Sequence, residues 1–211
     1  YATSSSDGAK KGIFRADNDG KLVNINPSFL GTTYKRIVIG VDPNNENVVY
    51  FLLNTDGFGR KSANYKGDIE WNGLYRYTYL IGDGSGDSGK WEDLSMNLPN
   101  GGAFDRWNVQ GSYDMLIRVR PGNSNEVYIG GTNVYRSTTG FSDSTHTEKI
   151  GGYKMKAQFP DVGVWANHHP DQHNLLFYPN DGSKLLSSND GGVFRSVNLS
   201  ASPFAWESLN N

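Results

Sequence analysis

A four-residue phrase recurs along this chain at a nearly constant spacing. It reads GIFR, GLYR, NVYR and GVFR, and it ends at Arg15, Arg76, Arg136 and Arg195. The steps between these arginines are 61, 60 and 59 residues. A fixed period of this length indicates a repeat architecture, so it constrains the fold more than any single segment does.

Each repeat predicts four short strands. A first apolar run ends at a proline (Pro43, Pro121 or Pro179), and a polar turn and a second apolar run follow it. Proline closes the first strand because it cannot donate to a ladder. The recurring phrase is the third strand. The fourth is clear around Trp91 and Trp206, and weaker at residues 22–25 and 147–150. No sustained helical period with caps is found.

Radial repetition of four antiparallel strands is typical of a β-propeller, so we expect an all-β fold made of four-stranded antiparallel blades. The period of roughly 60 residues exceeds the usual 40–50 of propeller repeats, and the excess falls in loops. The alternative is a β-sandwich whose strands resemble one another by chance. Sandwiches do not repeat a four-strand unit in phase, which favours the propeller.

We expect one propeller segment over residues 1–211. Its repeats are expected at residues 1–30, 31–98, 99–152 and 153–211. Residues 1–3 align with Tyr50 and Tyr128, so the chain begins in phase with a second strand and holds about three and a half repeats. This phase favours a part of a larger propeller, with further blades outside the segment, over a small closed ring of four blades.

Composition narrows the class of partner. The net charge is −2, which gives no electrostatic case for nucleic acid, and no apolar run is long enough to span a bilayer. Aromatic residues make up 13% of the chain and supply a large area for burial. Cysteine is absent, so disulfide and thiol chemistry are excluded within this chain. The surface is rich in Asn, Gly, Ser and Thr, which predicts a bacterial, extracellular or cell-surface protein. No cofactor is expected.

The order of strands predicts which loops share a face. Connections from a second to a third strand, and from a fourth to the next first strand, lie on one side. These connections are long here: residues 26–36, 55–72, 98–114 and 151–173. The opposite loops are short apart from residues 81–90 and 138–145. Long loops on a rigid scaffold usually carry function, so we expect the site on the long-loop face.

Aromatic residues stand beside charged residues in these long loops, a combination that suits sugar binding. A ring covers the apolar face of a sugar, while carboxylates and amides take its hydroxyls. The expected ligand-binding residues are Trp71, Trp107, Tyr113, Asp114, Trp165, His169, Asp171 and His173. For Trp107 and Trp165 the other interpretation is that the rings fill the gaps between blades.

Residues 169–173, which read HPDQH, allow a metal site or a structural role. Imidazole and carboxylate suit zinc, and in an extended segment His169, Asp171 and His173 would share a face. However, Asp171 aligns with Tyr113 of the preceding repeat, where no metal-binding residue type recurs. We therefore expect no metal, and we expect Asp171 to accept hydrogen bonds at the start of an inner strand.

Several segments resemble one family of repeats. They are residues 110–114 (QGSYD), 127–131 (VYIGG), 134–137 (VYRS), 169–173 and 189–196 (NDGGVFRS). Together they resemble the propellers of secreted bacterial proteins with BNR or Asp-box repeats, which are often glycosyl hydrolase-like and are similar to sortilin-type propellers and xyloglucan-cleaving hydrolases. Residues 188–192 resemble the start of an Asp-box, but its Thr-Trp end is missing, and the segments 16–20, 137–140 and 196–198 are eroded.

The resemblance implies a fold more than an activity. Our leading hypothesis is a secreted or cell-surface module that binds a glycan or protein partner without catalysis. The first alternative is a glycoside hydrolase, which would use a pair of loop carboxylates drawn from Asp56, Asp105, Asp114 and Asp171. The second is a structural segment of a large surface or secretion-associated protein. A sialidase would need clustered arginines, whereas the four repeat arginines are expected to be structural.

Overall fold

The computed structural model describes residues 1–17, 19–64 and 66–211, and its regular secondary structure is almost entirely β-strand. Asn18, within the eroded segment 16–20, lies outside the described residues. In the part of the chain that the structure describes, sixteen strands form four antiparallel sheets of three to five strands. The described helix is limited to three 3₁₀ turns at Gly86–Ser88, Ser95–Asn97 and Ala103–Asp105. The prediction of an all-β fold is confirmed, and no described helix could span a membrane.

The four sheets follow one another along the chain. The first contains β1 (Ala2–Ser4), β2 (Gly12–Ala16) and β3 (Leu22–Asn24). The second contains β4 (Tyr34–Val41), β5 (Val48–Thr55), β6 (Arg60–Ala63), β7 (Ile69–Tyr79) and β8 (Gly89–Asp93). The third contains β9 (Leu116–Arg120), β10 (Asn123–Gly130), β11 (Val134–Ser137) and β12 (Thr147–Gly151). The fourth contains β13 (Gln172–Tyr178), β14 (Asp181–Asn189), β15 (Gly192–Ser196) and β16 (Glu207–Ser208).

The recurring phrase forms the third strand in the order of three sheets and the middle strand β2 of the first sheet, and its arginine has a repeated structural role. Arg76 Nε lies 2.8 Å from Glu92 of β8, and Arg195 Nε lies 2.7 Å from Glu207 of β16. Arg136 Nε donates to Glu148 of β12 at 2.8 Å. In the first sheet the residue opposite Arg15 is Val23, which has no carboxylate. The Arg15 guanidinium stacks on Tyr79 instead, 3.9 Å from the ring centroid. Three of these arginines therefore join the third strand of a sheet to its last strand along the chain, and Arg15 joins the first sheet to the second.

One strand was missed by the sequence prediction. Residues 55–72 are expected as a loop, but β6 pairs with the first half of β7, in register Arg60 to Asn72 and Ala63 to Ile69. The strand β8 pairs with the second half of β7 on the same edge. Residues 60–63 (RKSA) lack the β-branched and aromatic residues that are typical of a strand. Only their pairing with β7 identifies them as one.

The core lies between neighbouring sheets. Alternate residues of β5 show this clearly: Phe51 and Leu53 pack toward the first sheet, while Tyr50 and Leu52 pack toward the third. A strand buried on both faces loses the usual alternation of apolar and polar residues. A third cluster, which includes Leu175 and Leu185, fills the space between the third and fourth sheets. Each sheet is thus stabilised by its neighbours.

The first strands of successive sheets lie side by side, β4 along β9 and β9 along β13. Backbone bonds link one sheet to the next where β13 begins: Asp171 N donates to Thr132 O at 3.0 Å, and Gln172 N donates to Gly131 O at 2.9 Å. These two bonds hold the start of β13 against the turn between β10 and β11 of the third sheet.

Candidate functional site

A cleft of about 670 Å³ opens on the long-loop face. Its walls come from the loop between β5 and β7, the connections before β9 and β13, and the turn between β10 and β11. The acidic side chains that line it are Asp56, Asp68, Glu70 and Asp171, and the basic ones are Lys35, Lys66 and Arg106. The aromatic ones are Trp71, Phe104 and Tyr153, and the amide ones are Asn54, Asn64, Asn108 and Gln110.

Glu70 fixes one wall of the cleft. Its two carboxylate oxygens accept hydrogen bonds from Val109 N at 2.9 Å and from Gly111 N at 2.6 Å. This joins β7 of the second sheet to the loop that leads into the third. Gly131 allows the same loop to approach the β10–β11 turn, because a Cβ there would lie 2.2 Å from the Asn108 carbonyl oxygen. Side chains on this loop are thus held in place by backbone contacts.

Trp71 stands on β7 where β6 covers its edge. It is half-buried, it lines the cleft, and Lys61 Nζ of β6 lies 5.8 Å from its ring centroid. Pairing with Lys61 across the two strands holds the ring at the start of β7. The expected aromatic surface is therefore present at Trp71.

Asp171 lies directly before β13 and faces the cleft. Gln110 Nε2 donates to its Oδ1 at 2.6 Å, so it has the neighbouring donor that the sequence predicts. Burial raises the pKa of Asp171, as does the charge of Asp190, while the bond from Gln110 opposes the shift. A carboxyl group with a raised pKa can hold a proton closer to neutral pH than an exposed aspartate can.

Asp114 lies two residues before β9 begins. Its side chain is 0% exposed, and neither carboxylate oxygen has a hydrogen-bond partner among the described residues. Burial, and then the charges of Asp171, Asp190 and Glu70, raise its pKa to about 8. Asp114 does not line the cleft, so a ligand held there would meet Asp171 rather than Asp114.

The other expected residues fall outside this cleft. Trp107 was expected to bind a ligand, but it is 1% exposed and packs in the core between the second and third sheets. It therefore offers no surface to a ligand. Trp165 packs partly against the core between the third and fourth sheets, and its Nε1 donates to Phe204 O at 3.2 Å. Both rings fill gaps between sheets, which is the other interpretation of these residues.

Residues 169–173 do not form the extended segment in which His169, Asp171 and His173 would share a face. Asp171 has φ +65°, in the left-handed region, so the alternation of side chains breaks there. His169 Nδ1 is 3.1 Å from Pro170 O, and His173 Nε2 pairs with Asp190 at 2.6 Å. No group of three or more His, Asp or Glu side chains in the described parts of the chain could hold a metal ion.

Tyr113 and Asp105 also lie outside the lining of the cleft. Tyr113 is 67% exposed, and its ring meets that of His173 edge-on at 5.8 Å, away from the cleft lining. The Asp105 carboxylate pairs with Lys149 and accepts a bond from Lys156 N at 2.8 Å, which leaves it a structural role. Of the four carboxylates proposed for catalysis, Asp56 and Asp171 are therefore the two that share the cleft.

Comparisons with known proteins give one loose likeness. No protein-family model matches the sequence, and no curated protein matches it. The structure is similar to that of an α-L-arabinofuranosidase from Fusarium graminearum with an iminosugar inhibitor: 10% identity, TM-score 0.44, covering 87% of this chain and 43% of that one. The complex of that enzyme with arabinobiose is 11% identical, with a TM-score of 0.42, and the match covers 80% of this chain and 41% of that one. This chain spans about two fifths of those structures, and no activity follows from a likeness at this level.

Proposed function

We propose that the four sheets are blades of a β-propeller. Support comes from the order of strands within each sheet, from first strands that lie side by side, and from cores shared between neighbouring sheets. On this interpretation the cleft opens on the face to which the long connections project. The resemblance to Asp-box repeats and an extracellular location both stay predictions.

We further propose that this face binds a glycan in the cleft. The observation that carries the proposal is the lining itself: Trp71 stands in one cavity with four carboxylates and four amide side chains. Its volume is within the range of about 300–1,000 Å³ of small-molecule sites. Carboxylates and amides can pair with many hydroxyls, and the indole ring can cover the apolar face of a sugar.

Calorimetric titration with soluble xyloglucan, arabinan and β-1,4-glucan oligosaccharides tests this proposal. Binding is expected for the wild type and about tenfold weaker for Trp71→Ala, because the ring that covers the sugar is lost. Tyr113→Ala is the matched control, since Tyr113 is an exposed aromatic residue outside the cleft, and it should bind like the wild type. If the wild type binds none of these glycans, the proposal fails and the structural-segment alternative gains support.

Glycoside hydrolysis is the second candidate, and one observation favours it. Asp56 and Asp171 line the same cleft, and the pKa of Asp171 is raised. A protonated carboxyl can donate to the leaving glycosidic oxygen, while an ionised one acts as nucleophile or activates water. In this scheme Asp171 is the acid and Asp56 the partner.

Release of reducing sugar separates the two candidates. A hydrolase predicts release by the wild type, with a loss of about a hundredfold or more in Asp171→Asn while that variant still binds the glycan. A glycan that binds and is never cleaved would assign the cleft to binding alone.

A further inference from the structure

A second cavity continues the cleft toward the first sheet. It has a volume of about 630 Å³ and lies where the start of the chain meets β4. Lys35 and Asp56 line both cavities, so the two adjoin at these residues, and we treat them as one groove with this junction. We call the two parts the main cleft and the side cleft.

The junction is a fixed part of the fold. Asp56 N donates to Thr33 O at 3.2 Å, which holds the end of β5 against the segment that leads into β4. Ser6 anchors the other wall, since its hydroxyl donates to Tyr34 O at 2.8 Å and accepts from Tyr34 N at 3.0 Å. The side cleft is therefore built by bonds between the first and second sheets.

The two parts differ in chemistry in a way that suits one long ligand. The main cleft has an aromatic side chain, the half-buried Trp71. The side cleft is lined mostly by hydroxyl and charged side chains, among them Ser5, Thr33 and Ser112. Its charges balance, with Lys35 and Arg36 against Asp7 and Asp56. Such a lining pairs with hydroxyl groups of a neutral ligand and gives no excess charge for an ionic one.

Each part alone has the volume of a complete small-molecule site. We propose that the groove takes a neutral linear oligosaccharide whose chain runs from the main cleft past Lys35 and Asp56 into the side cleft. This rests on the proposed glycan binding and adds that the ligand is a chain rather than a single sugar or a chain end. Affinity should then grow with length until both parts are filled.

The test is calorimetry with linear oligomers of two to eight units from the arabinan and β-1,4-glucan series. The wild type should bind the longest oligomers at least about tenfold more tightly than the shortest. Thr33→Trp blocks the side cleft from an exposed position, so it should reduce the affinity of long oligomers to that of short ones and leave the short ones unchanged.

Thr138→Trp is the matched control, because Thr138 is exposed in a loop of the opposite face. It should keep the full dependence on length. Binding that is independent of oligomer length, or a Thr33→Trp variant that keeps the wild-type gain, would overturn the inference while glycan binding stands. No binding at any length would overturn both proposals, provided that the melting temperatures show all variants folded.

Discussion

At the scale of single residues, Asp114 links the stability of the fold to pH. Its carboxyl group is buried without a partner among the described side chains, and its pKa is about 8 against an ordinary 3.8. Well below pH 3.8 the folded and unfolded chains both hold this proton, so folding has no titration cost. As the pH rises toward 8 the unfolded chain releases the proton and the folded chain retains it, so stability falls.

The substitution Asp114→Asn removes this titration. Its free energy of unfolding should exceed that of the wild type by an amount that grows between pH 4 and pH 8, by up to about 1.4 kcal/mol for each pH unit over which only the folded wild type holds the proton. Asp171 has a raised pKa of the same sign and is present in both proteins. Urea unfolding at pH 4.5, 6 and 8 measures the difference. Asp87→Asn, at an exposed carboxylate, should follow the wild type, and an Asp114→Asn curve that does the same would contradict the assignment.

At the scale of elements, the contact between β7 and the loop before β9 depends on one carboxylate. Glu70 accepts two backbone N–H groups, one with each oxygen. In Glu70→Gln one oxygen becomes an NH₂ group, which faces an N–H donor and leaves it without an acceptor. We expect a loss of about 1–3 kcal/mol in the free energy of unfolding.

Chemical denaturation of Glu70→Gln measures this loss. Glu46→Gln, at an exposed position in the turn between β4 and β5, is the control and should change stability by less than about 0.5 kcal/mol. Equal stability of the two variants would show that Glu70 does not hold this wall.

Sequence patterns predict most elements but not all of the site. Proline-ended apolar runs and the recurring phrase locate the four-strand units, because each pattern reports a local requirement of the backbone. The strand β6 is not predicted, because its sequence carries no strand pattern and only its pairing with β7 defines it. Trp71 and Asp171 were predicted for the cleft, whereas Asn54, Phe104 and Tyr153 were not. These three come from distant segments, and only the packing of sheets brings them together.

At the scale of the whole molecule, the sheets share their cores. Leu52 is buried between the second and third sheets, and Leu185 between the third and fourth. No sheet has a core of its own, so the described sheets should unfold in one transition. Leu52→Ala and Leu185→Ala should each lower its midpoint, with losses of about 2–5 kcal/mol, and calorimetry that resolves two transitions would contradict this.

The most direct test of glycan binding is a ¹⁵N NMR titration of the whole chain with a soluble oligosaccharide that binds in calorimetry. We predict that the Trp71 indole N–H and the backbone N–H groups of Gln110 and Gly111 shift together and saturate. Residues 81–90 and 138–145, on the opposite face, should not move. Shifts confined to those opposite loops, or a spectrum in which the cleft residues stay unchanged at saturation, would contradict it.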